Sequence, residues 1–135
     1  MANLQNIQRV YFIGIGGIGM SAIARYFNEH GVVVKGYDRT ETDLTRKLEQ
    51  EGIEIHFADD VELLDRDAQL VVYTPAIPKD HKELNWYLDN GYEVVKRSDV
   101  LQWITEELFA ITVAGTHGKT TVSTMIAFLL RETKY

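Results

Sequence analysis

The sequence predicts an α/β fold in which helices cover both faces of a parallel sheet. Apolar runs of strand length alternate with helix-like segments from residue 9 to residue 108, an order typical of right-handed βαβ units. A glycine-rich loop at residues 14–19 joins the first apolar run to the first helical segment. The first run is continuously apolar, as expected for a strand buried on both faces. These observations indicate a Rossmann-like, doubly wound sheet.

The bounds of the elements follow from apolar periodicity and from start and stop residues. The predicted strands cover residues 9–15, 32–37, 53–57, 70–73 and 93–96. The predicted helices cover residues 18–30, 44–52, 80–91 and 98–108. Asp80 and Glu83 are expected to form a capping box for the third helix, and Ser98 is expected to cap the fourth. Glycines at positions 31, 52 and 91 are expected to end the first three helices.

Composition and charge exclude several classes of protein. The chain has 135 residues, of which 45% are hydrophobic and 25% charged, as in a soluble globular protein. With 14 Lys and Arg against 20 Asp and Glu, a broad nucleic-acid surface is not expected. The absence of cysteine excludes disulfides and thiolate metal sites. Neither a secretory signal nor a membrane span is expected from the apolar runs, so the predicted location is cytoplasmic.

The glycine-rich loop has the G-x-G-x-x-G spacing of a phosphate-binding turn between a strand and a helix. Gly14 is expected to allow the tight turn, Gly16 to let a pyrophosphate approach the backbone, and Gly19 to let the helix pack closely on the strand. Asp38 ends the second predicted strand, 19 residues after Gly19, where a carboxylate can bind ribose hydroxyls. The alternatives are a glycine-rich turn that binds nothing and an aspartate that serves only a turn or a helix cap.

A second phosphate-binding pattern follows the first domain. Residues 109–114 are predicted to form a new strand, the loop Gly115–Thr121 follows it, and a helix is predicted from Val122 towards Thr133. The loop resembles a P-loop, in which Lys119 would reach the β- and γ-phosphates and Thr120 would ligate Mg²⁺. It departs from the usual pattern because Val113 stands where the first glycine is expected. A chance Gly-Lys-Thr sequence in a loop is the alternative.

The last predicted helix is apolar on several faces, and a P-loop domain needs further parallel strands and a carboxylate for Mg²⁺. We therefore expect the chain to be an amino-terminal piece of a longer protein. It would hold one complete domain at residues 1–107 and the truncated start of an ATP-binding domain at residues 108–135.

Four features, in this order along the whole chain, resemble the Mur ligases. They are Gly14–Ser21 after a strand, Asp38 at the end of the second strand, Thr74–Ile77, and Ala114–Thr121. The segment Gly115–Thr121 is the most specific of the four. The resemblance implies a three-domain cytoplasmic enzyme of peptidoglycan synthesis. Within the family, the pattern is closest to the members that join L-alanine to UDP-N-acetylmuramate. ATP would phosphorylate the muramic acid carboxylate, and L-alanine would attack the acyl phosphate.

The resemblance also assigns residues to ligands by position. The UDP diphosphate would contact the glycine-rich loop, and the uridine would lie near Asp38 and the loop after the fourth strand. The residues assigned to the UDP-sugar are Gly14, Gly16, Gly17, Ile18, Gly19, Asp38, Thr74, Pro75, Ala76 and Ile77. Those assigned to ATP are Gly115, Thr116, His117, Gly118, Lys119, Thr120 and Thr121, with Lys119 as the catalytic residue and Thr120 as a Mg²⁺ ligand. The remaining Mg²⁺ ligands and the L-alanine site would lie outside this chain, which is therefore expected to be inactive alone.

Three alternative functions remain open at this point. A peptidoglycan-recycling ligase would attach a whole tripeptide to the same UDP-sugar, and this sequence separates the two ligases poorly. An NAD-dependent dehydrogenase or NAD-sensing module would explain the glycine-rich loop and Asp38, but it leaves Gly115–Thr121 unexplained. A non-catalytic nucleotide-binding module is the third alternative.

Other titratable residues have no assigned role. His30, His56 and His81 lack a partner in the sequence and are expected at the surface or at helix ends. The acidic connection at residues 59–67 is expected to be solvated, with Val61, Leu63 and Leu64 as its apolar anchors.

Overall fold

The computed structural model describes residues 6–114, and it describes side chains for residues 6–108. This part of the chain forms five strands and four helices, which alternate except that β4 follows β3 without a helix between them. The strands are β1 (Arg9–Ile13), β2 (Val33–Tyr37), β3 (Glu54–His56), β4 (Leu70–Tyr73) and β5 (Val94–Lys96). The helices are α1 (Ile18–Glu29), α2 (Asp43–Gln50), α3 (Lys82–Asp89) and α4 (Arg97–Ala114). All paired strands are parallel, in the order β3-β2-β1-β4-β5, which confirms the predicted Rossmann-like α/β sheet.

The sheet is covered on both faces because successive side chains of each strand point in opposite directions. Val10 and Phe12 of β1 join a core built with α1, α2 and α4. Tyr11 and Ile13 of the same strand join a second core, built with α3 and the connection between β3 and β4. Because both faces are buried, β1 is continuously apolar, as the sequence indicated. Among residues 6–114, no helix combines the length and the apolar character needed to cross a bilayer.

The predicted elements are confirmed with small changes at their ends. The first strand stops at Ile13, two residues before the predicted end, because Gly14 turns the chain with φ +93°. The glycines predicted to end the first three helices, Gly31, Gly52 and Gly91, each have positive φ. The predicted bounds of the second, third and fifth strands are each one residue too long at one or both ends.

The predicted capping box of α3 is wrong. The N-cap residue is His81, whose Nδ1 accepts from the backbone N–H of Leu84 at 3.3 Å. Asp59, from the connection after β3, accepts from the backbone N–H groups of Lys82 and Glu83 at 2.9 and 3.0 Å. A residue distant in sequence therefore supplies the acceptor that Asp80 was expected to provide. Glu83 is free to turn into the core.

Two predictions about the last helix are also wrong. Ser98 lies inside α4, which begins at Arg97, and Asp99 accepts from the backbone N–H of Lys96 at 3.3 Å instead. Residues 109–114, predicted as a strand, continue α4. A strand needs a neighbouring strand to satisfy its backbone, and none of the five described strands pairs with this segment, whereas a helix satisfies its own N–H and C=O groups. The P-loop prediction at Gly115–Thr121 lies outside the described residues.

A polar cluster is buried between β1, β3 and α3. The Glu83 side chain is fully buried and accepts from the hydroxyl of Tyr11 and, at 3.1 Å, from the backbone N–H of Asp60. His56 Nε2 lies 2.8 Å from Glu83 Oε2 and 3.0 Å from the Tyr11 hydroxyl. The expectation that His56 lies at the surface or at a helix end is therefore wrong, because it ends β3 and contacts two buried side chains. The carboxylate joins three chain segments, because each of its oxygens accepts from a group on another element.

Replacing Glu83 by Ala is expected to lower the free energy of unfolding by about 2–4 kcal/mol, because Tyr11, His56 and the Asp60 amide lose their common acceptor. Glu83→Gln keeps one acceptor oxygen and is expected to lose less. Urea unfolding followed by circular dichroism measures both. Glu49→Ala, at an exposed helical position, is the matched control, and an equal loss in the two alanine variants would contradict the role of Glu83.

Two buried tyrosines make stability depend on alkaline pH. Burial raises the pKa of Tyr11 far above its usual range, and the charge of Glu83 adds to the shift. Burial raises the pKa of Tyr87 in the same way, aided by the charge of Asp65. Above about pH 10 the unfolded chain loses these protons and the folded chain keeps them. The unfolded state then binds fewer protons, so the free energy of unfolding falls as the pH rises.

The expected decline above pH 10 is up to about 1.4 kcal/mol per pH unit for each of the two tyrosines. Stability that is fully present below pH 10 is thus lost as the pH rises further. Urea unfolding at several values between pH 8 and pH 11.5 gives the slope. Tyr11→Phe and Tyr87→Phe should each make the slope shallower, and slopes parallel to that of the wild type would refute the assignment.

Candidate functional site: a cavity at the switch point of the sheet

The strand order places a crevice between β1 and β4. From β1 the chain proceeds to β2 and β3 on one side, and from β4 it proceeds to β5 on the other, so the loops after β1 and β4 diverge. Ligands of open α/β sheets bind at such a switch point. A cavity of about 790 Å³ lies there, within the size range of small-molecule sites.

The glycine-rich loop is anchored to the end of β2. The backbone N–H groups of Gly14 and Ile15 both donate to the carbonyl of Tyr37, at 2.8 and 2.9 Å. Ile15 then packs over Gly36, where a Cβ atom would lie 2.7 Å from Ile15 Cδ1 and 2.9 Å from the carbonyl oxygen of Phe12. A glycine is therefore required inside β2 so that the loop can close onto the strand. The sequence showed this glycine, but its contact with Ile15 depends on the pairing of β1 with β2.

Asp38 binds the glycine-rich loop directly. Its Oδ2 accepts from the backbone N–H of Gly16 at 2.7 Å, and its Oδ1 accepts from Thr40 at 3.1 Å. A Cβ atom on Gly16 would lie 2.7 Å from Asp38 Oδ2 and 2.9 Å from Thr45 Cγ2. The structure thus gives a different reason for glycine at this position from the one expected. Gly16 is small because Asp38 and Thr45 pack against it, and its N–H is already bonded.

The amino terminus of α1 lies at the cavity, and the backbone N–H groups of its first turn have no partner within residues 6–108. Gly17 is the N-cap and makes no side-chain cap, and the first bond of the helix runs from the N–H of Ser21 to the carbonyl of Gly17 at 2.8 Å. The side chain of Ile18 lines the cavity and is 58% exposed. The N–H groups of the first turn, with the positive end of the helix dipole, favour an anion at this position.

Arg97 approaches the same helix end from the start of α4. A Cβ atom on Gly19 would lie 3.0 Å from Arg97 Nη1 and 3.3 Å from its Cδ. Glycine at position 19 therefore makes room for a guanidinium group, and the expected close contact of helix and strand is not what requires it. Arg97 lines the cavity.

Two carboxylates at the cavity are hydrogen-bonded to the backbone, whereas the cations there form no ion pair with the described residues. The carboxylates of Asp38 and Asp59 accept from backbone N–H groups of the loops and of α3. Arg39, Lys82 and Arg97 also line the cavity, and none of them forms an ion pair with another residue in the described part of the chain. Three cations beside an uncapped helix end make this region suitable for a phosphate-bearing ligand.

His81 and Asp59 lie beside each other in the lining of the cavity. His81 is only 5% exposed, and its Nδ1 is 3.4 Å from Asp59 Oδ1. The expectation that His81 lies at the surface or at a helix end is confirmed by its position as the N-cap of α3. The expectation that the carboxylate of Asp59 is solvated is wrong, because it accepts from two backbone N–H groups of α3. Asp65, in the same connection, is also buried and pairs with Arg9 at 3.0 Å.

Most residues predicted to bind the UDP-sugar meet at this cavity. Those that line it are Gly14, Gly17, Ile18, Gly19, Asp38, Thr74, Pro75, Ala76 and Ile77, and Gly16 does not. The loop after β4 reaches the glycine-rich loop, since a Cβ atom on Gly14 would lie 3.4 Å from Ile77 Cδ1 and 3.6 Å from Thr74 Oγ1. The residues predicted to bind ATP and Mg²⁺, Gly115–Thr121, lie outside the described residues. Within the described residues no group of three or more His, Asp or Glu side chains could hold a metal ion.

The sequence interpretation missed several residues of the cavity, namely Met20, Tyr37, Arg39, Asp59, Pro78, Asp80, His81, Lys82 and Arg97. A signal existed for two of them: Tyr37 is the last residue of β2 and Arg97 follows β5, and the carboxyl ends of parallel strands face the ligand. The sequence held no signal for His81 or Asp59. Their place depends on how α3 docks against the connection between β3 and β4.

Comparisons with known proteins agree with this architecture. The profile described as Mur ligase family, catalytic domain, matches residues 9–108. The chain belongs to the Mur ligase family. The matched residues include the whole five-stranded sheet and the cavity at its switch point. Membership of the Mur ligase family favours the ligase interpretation of the glycine-rich loop over the NAD-dependent alternatives.

Two similar curated relatives have the same name. A UDP-N-acetylmuramate–L-alanine ligase of Christiangramia forsetii is 48% identical over 139 residues, which cover 98% of this chain and 31% of the relative. A ligase of the same name from Porphyromonas gingivalis is 55% identical over 131 residues, which cover 93% of this chain and 29% of the relative. This Mur ligase chain thus spans about 30% of the length of the relatives that it matches.

Solved structures of Mur ligases share the fold. The UDP-N-acetylmuramate-alanine ligase of Thermotoga maritima superposes with a TM-score of 0.66 at 31% identity, covering 76% of this chain and 23% of that chain. The UDP-N-acetylmuramate:L-alanyl-gamma-D-glutamyl-meso-diaminopimelate ligase of Neisseria meningitides superposes with a TM-score of 0.65 at 25% identity, covering 74% and 31%.

Replacing Asp38 by Ala is expected to lower the free energy of unfolding by about 1–3 kcal/mol, because the amides of Gly16 and Thr40 lose a charged acceptor. Asp38→Asn keeps one acceptor oxygen, so its free energy of unfolding is expected to fall by less. Hydrogen exchange at the Gly16 amide should become faster in Asp38→Ala. The control is Asp89→Ala at an exposed position, expected within about 0.5 kcal/mol of wild type. Unchanged exchange at Gly16 would argue against this bond.

Proposed function

We propose that this chain is the UDP-sugar-binding part of a cytoplasmic ATP-dependent ligase that joins L-alanine to UDP-N-acetylmuramate in peptidoglycan synthesis. The observation that carries the proposal is the cavity at the switch point, where an uncapped helix end meets cations that have no ion-pair partner among the described residues. This arrangement suits the diphosphate of a nucleotide sugar. The names of the curated relatives, at about half identity, support the choice of sugar and amino acid.

The diphosphate would lie against the first turn of α1. The N–H groups of Ile18 and Gly19 would donate to its oxygens, and Arg97 would add a charge-assisted hydrogen bond. Arg39 and Lys82, at the exposed rim, would attract the anion without needing a fixed geometry. The uridine would extend towards the ends of β2 and β4, near Tyr37 and the loop Thr74–Ile77. Because Asp38 is bonded to the glycine-rich loop, its part in binding would be to hold that loop and not to bind a ribose.

The ATP-dependent steps of the proposal are supported only by the sequence motif Gly115–Thr121. The backbone of Gly115–Thr121 would hold the phosphates of ATP, with Lys119 on the β- and γ-phosphates and Thr120 on Mg²⁺. ATP would phosphorylate the muramic acid carboxylate, and the amine of L-alanine would then displace the phosphate. The proposal includes further domains that carry the other Mg²⁺ ligands and the L-alanine site. We therefore expect the 135-residue chain to be inactive in ligation.

A tripeptide ligase acting on the same UDP-sugar is the second candidate. It is supported by the likeness to the Neisseria meningitides ligase, whose name includes an L-alanyl-gamma-D-glutamyl-meso-diaminopimelate acceptor. The higher identity to curated L-alanine ligases favours the first candidate. Both candidates predict the same ligand for the cavity.

Isothermal titration of the 135-residue chain tests the sugar site. UDP-N-acetylmuramate is expected to bind and NADH is not, while MgATP is expected to bind poorly because the proposed ATP site is incomplete. Arg97→Ala should lower the affinity for UDP-N-acetylmuramate about tenfold, which is the effect of losing one charge-assisted hydrogen bond. Arg46→Ala is the control, since Arg46 is exposed and lies on α2, away from the cavity.

Several outcomes would contradict the proposal. Binding of NADH without binding of UDP-N-acetylmuramate would support a dehydrogenase or NAD-sensing module instead. Micromolar affinity for MgATP in this chain would show that the ATP site is complete without further domains. If Arg97→Ala and Arg46→Ala bind the sugar nucleotide equally well, the diphosphate does not lie at the start of α1.

A further inference from the structure

His81 has one ring nitrogen that is used and one that is not. Its Nδ1 accepts from the backbone N–H of Leu84 at 3.3 Å, as the N-cap of α3. A nitrogen that accepts carries no proton, so in this cap the neutral ring carries its proton on Nε2. The Nε2–H group is buried and has no hydrogen-bond partner within the described residues.

A buried donor without a partner is rare in folded proteins and calls for a specific explanation. His81 lines the cavity, so a ligand atom can supply the missing acceptor. Nε2 itself has less than 1 Å² of exposed surface, so the Pro78–His81 turn must open slightly for a ligand atom to reach it. This turn is held by a bond from the N–H of His81 to the carbonyl of Pro78 at 3.1 Å, and the side-chain Nδ2 of Asn85 donates to the carbonyl of Lys79 at 2.9 Å.

Tyr37 provides a second neutral donor beside His81. The two rings meet edge to face, with centroids 4.8 Å apart and an angle of 62° between their planes. Tyr37 lines the cavity, and its hydroxyl forms no hydrogen bond to the described residues. Burial, followed by the charges of Asp59, Glu83 and Asp38, raises the pKa of Tyr37. The hydroxyl therefore stays protonated at neutral pH and can donate.

The charges nearby decide which part of a nucleotide sugar fits this pair. Asp59 Oδ1 lies 3.4 Å from His81 Nδ1. The negative charges of Asp59, Glu83 and Asp38 are close enough to Tyr37 to raise its pKa. A phosphate placed here would face three carboxylates, whereas the start of α1 and Arg97 offer it positive charge. An uncharged ring with carbonyl oxygens has no such penalty and accepts from both donors.

We infer that His81 Nε2–H and the Tyr37 hydroxyl form the base-reading end of the cavity and donate to the carbonyl oxygens of the uracil ring. The inference rests on the proposed function, because it assumes a uridine nucleotide as ligand. The two residues act as specificity-determining donors, and neither takes part in the ligation chemistry. His81 thus joins two tasks, since one nitrogen caps α3 and the other reads the base.

Two substitutions separate the tasks of the two nitrogens. His81→Asn places an amide near the position of Nδ1, so the cap on α3 is kept and the Nε2 donor is lost. His81→Gln places an amide N–H near the position of Nε2, so the donor is kept and the cap is lost. Tyr37→Phe removes only the hydroxyl of the second donor.

The 135-residue chain and these variants are titrated with UDP and with inorganic pyrophosphate, and their thermal midpoints are measured. We expect His81→Asn to keep the midpoint and to bind UDP at least tenfold more weakly, with unchanged affinity for pyrophosphate. His81→Gln should lower the midpoint and bind UDP more tightly than His81→Asn does. Tyr37→Phe should weaken the binding of UDP and leave the affinity for pyrophosphate unchanged. In the wild type, UDP should shift the ¹⁵N resonance of His81 Nε2, and pyrophosphate should not.

The results distinguish this inference from the proposed function. If wild type binds neither UDP nor UDP-N-acetylmuramate, the proposed function fails and the inference fails with it. If wild type binds UDP and His81→Asn binds it equally well, only the inference is overturned. A His81→Asn variant that loses UDP and pyrophosphate to the same extent would also overturn it, because the substitution would then have disturbed the whole cavity.

Discussion

The bonds between the end of β2 and the glycine-rich loop hold the candidate site together. The carbonyl of Tyr37 accepts from Gly14 and Ile15, and the carboxylate of Asp38 accepts from Gly16. Three consecutive amides of the loop are thus bonded to one strand end. Because the loop is fixed at its start, α1 begins at a defined place, and the amides of its first turn lie beside the cavity without a partner in the described part of the chain. A loop already ordered in this way loses little conformational entropy when a ligand binds.

Hydrogen bonds to backbone amides also fix the carboxylates of the site. The chain carries a net charge of −6, which by itself disfavours an anionic ligand. The structure resolves this by bonding the carboxylates nearest the cavity to backbone amides: Asp38 to the glycine-rich loop and Asp59 to the start of α3. Arg97 and the exposed cations at the rim keep no carboxylate partner in the described region. The cavity lining holds three cations and, with Asp80, three carboxylates, so its formal charge is balanced although the whole chain is negative.

The second face of the sheet depends on one buried carboxylate. Glu83 binds Tyr11 on β1, His56 on β3 and the amide of Asp60, so it fixes the position of α3 relative to the connection between β3 and β4. That position determines where Asp59 and His81 lie. A polar cluster whose members do not line the cavity therefore shapes the end of the cavity that we assign to the base. Buried polar groups satisfied in this way specify one arrangement of a core.

The sequence by itself determined the parallel α/β architecture, the order and approximate bounds of the elements, and the glycine-rich loop and β4 loop as one side of a site. These features depend on periodicity, chain direction and turn chemistry, which are local properties. The tertiary structure alone decided that Asp38 bonds to Gly16, that Gly19 makes room for Arg97, that Glu83 is buried away from the predicted capping box, and that His81 is buried at the cavity. Residues 109–114 became helical for a related reason, since a strand needs a partner that the described sheet does not offer. Each of these outcomes depends on which distant segment supplies a hydrogen-bond partner, and a linear sequence does not state that.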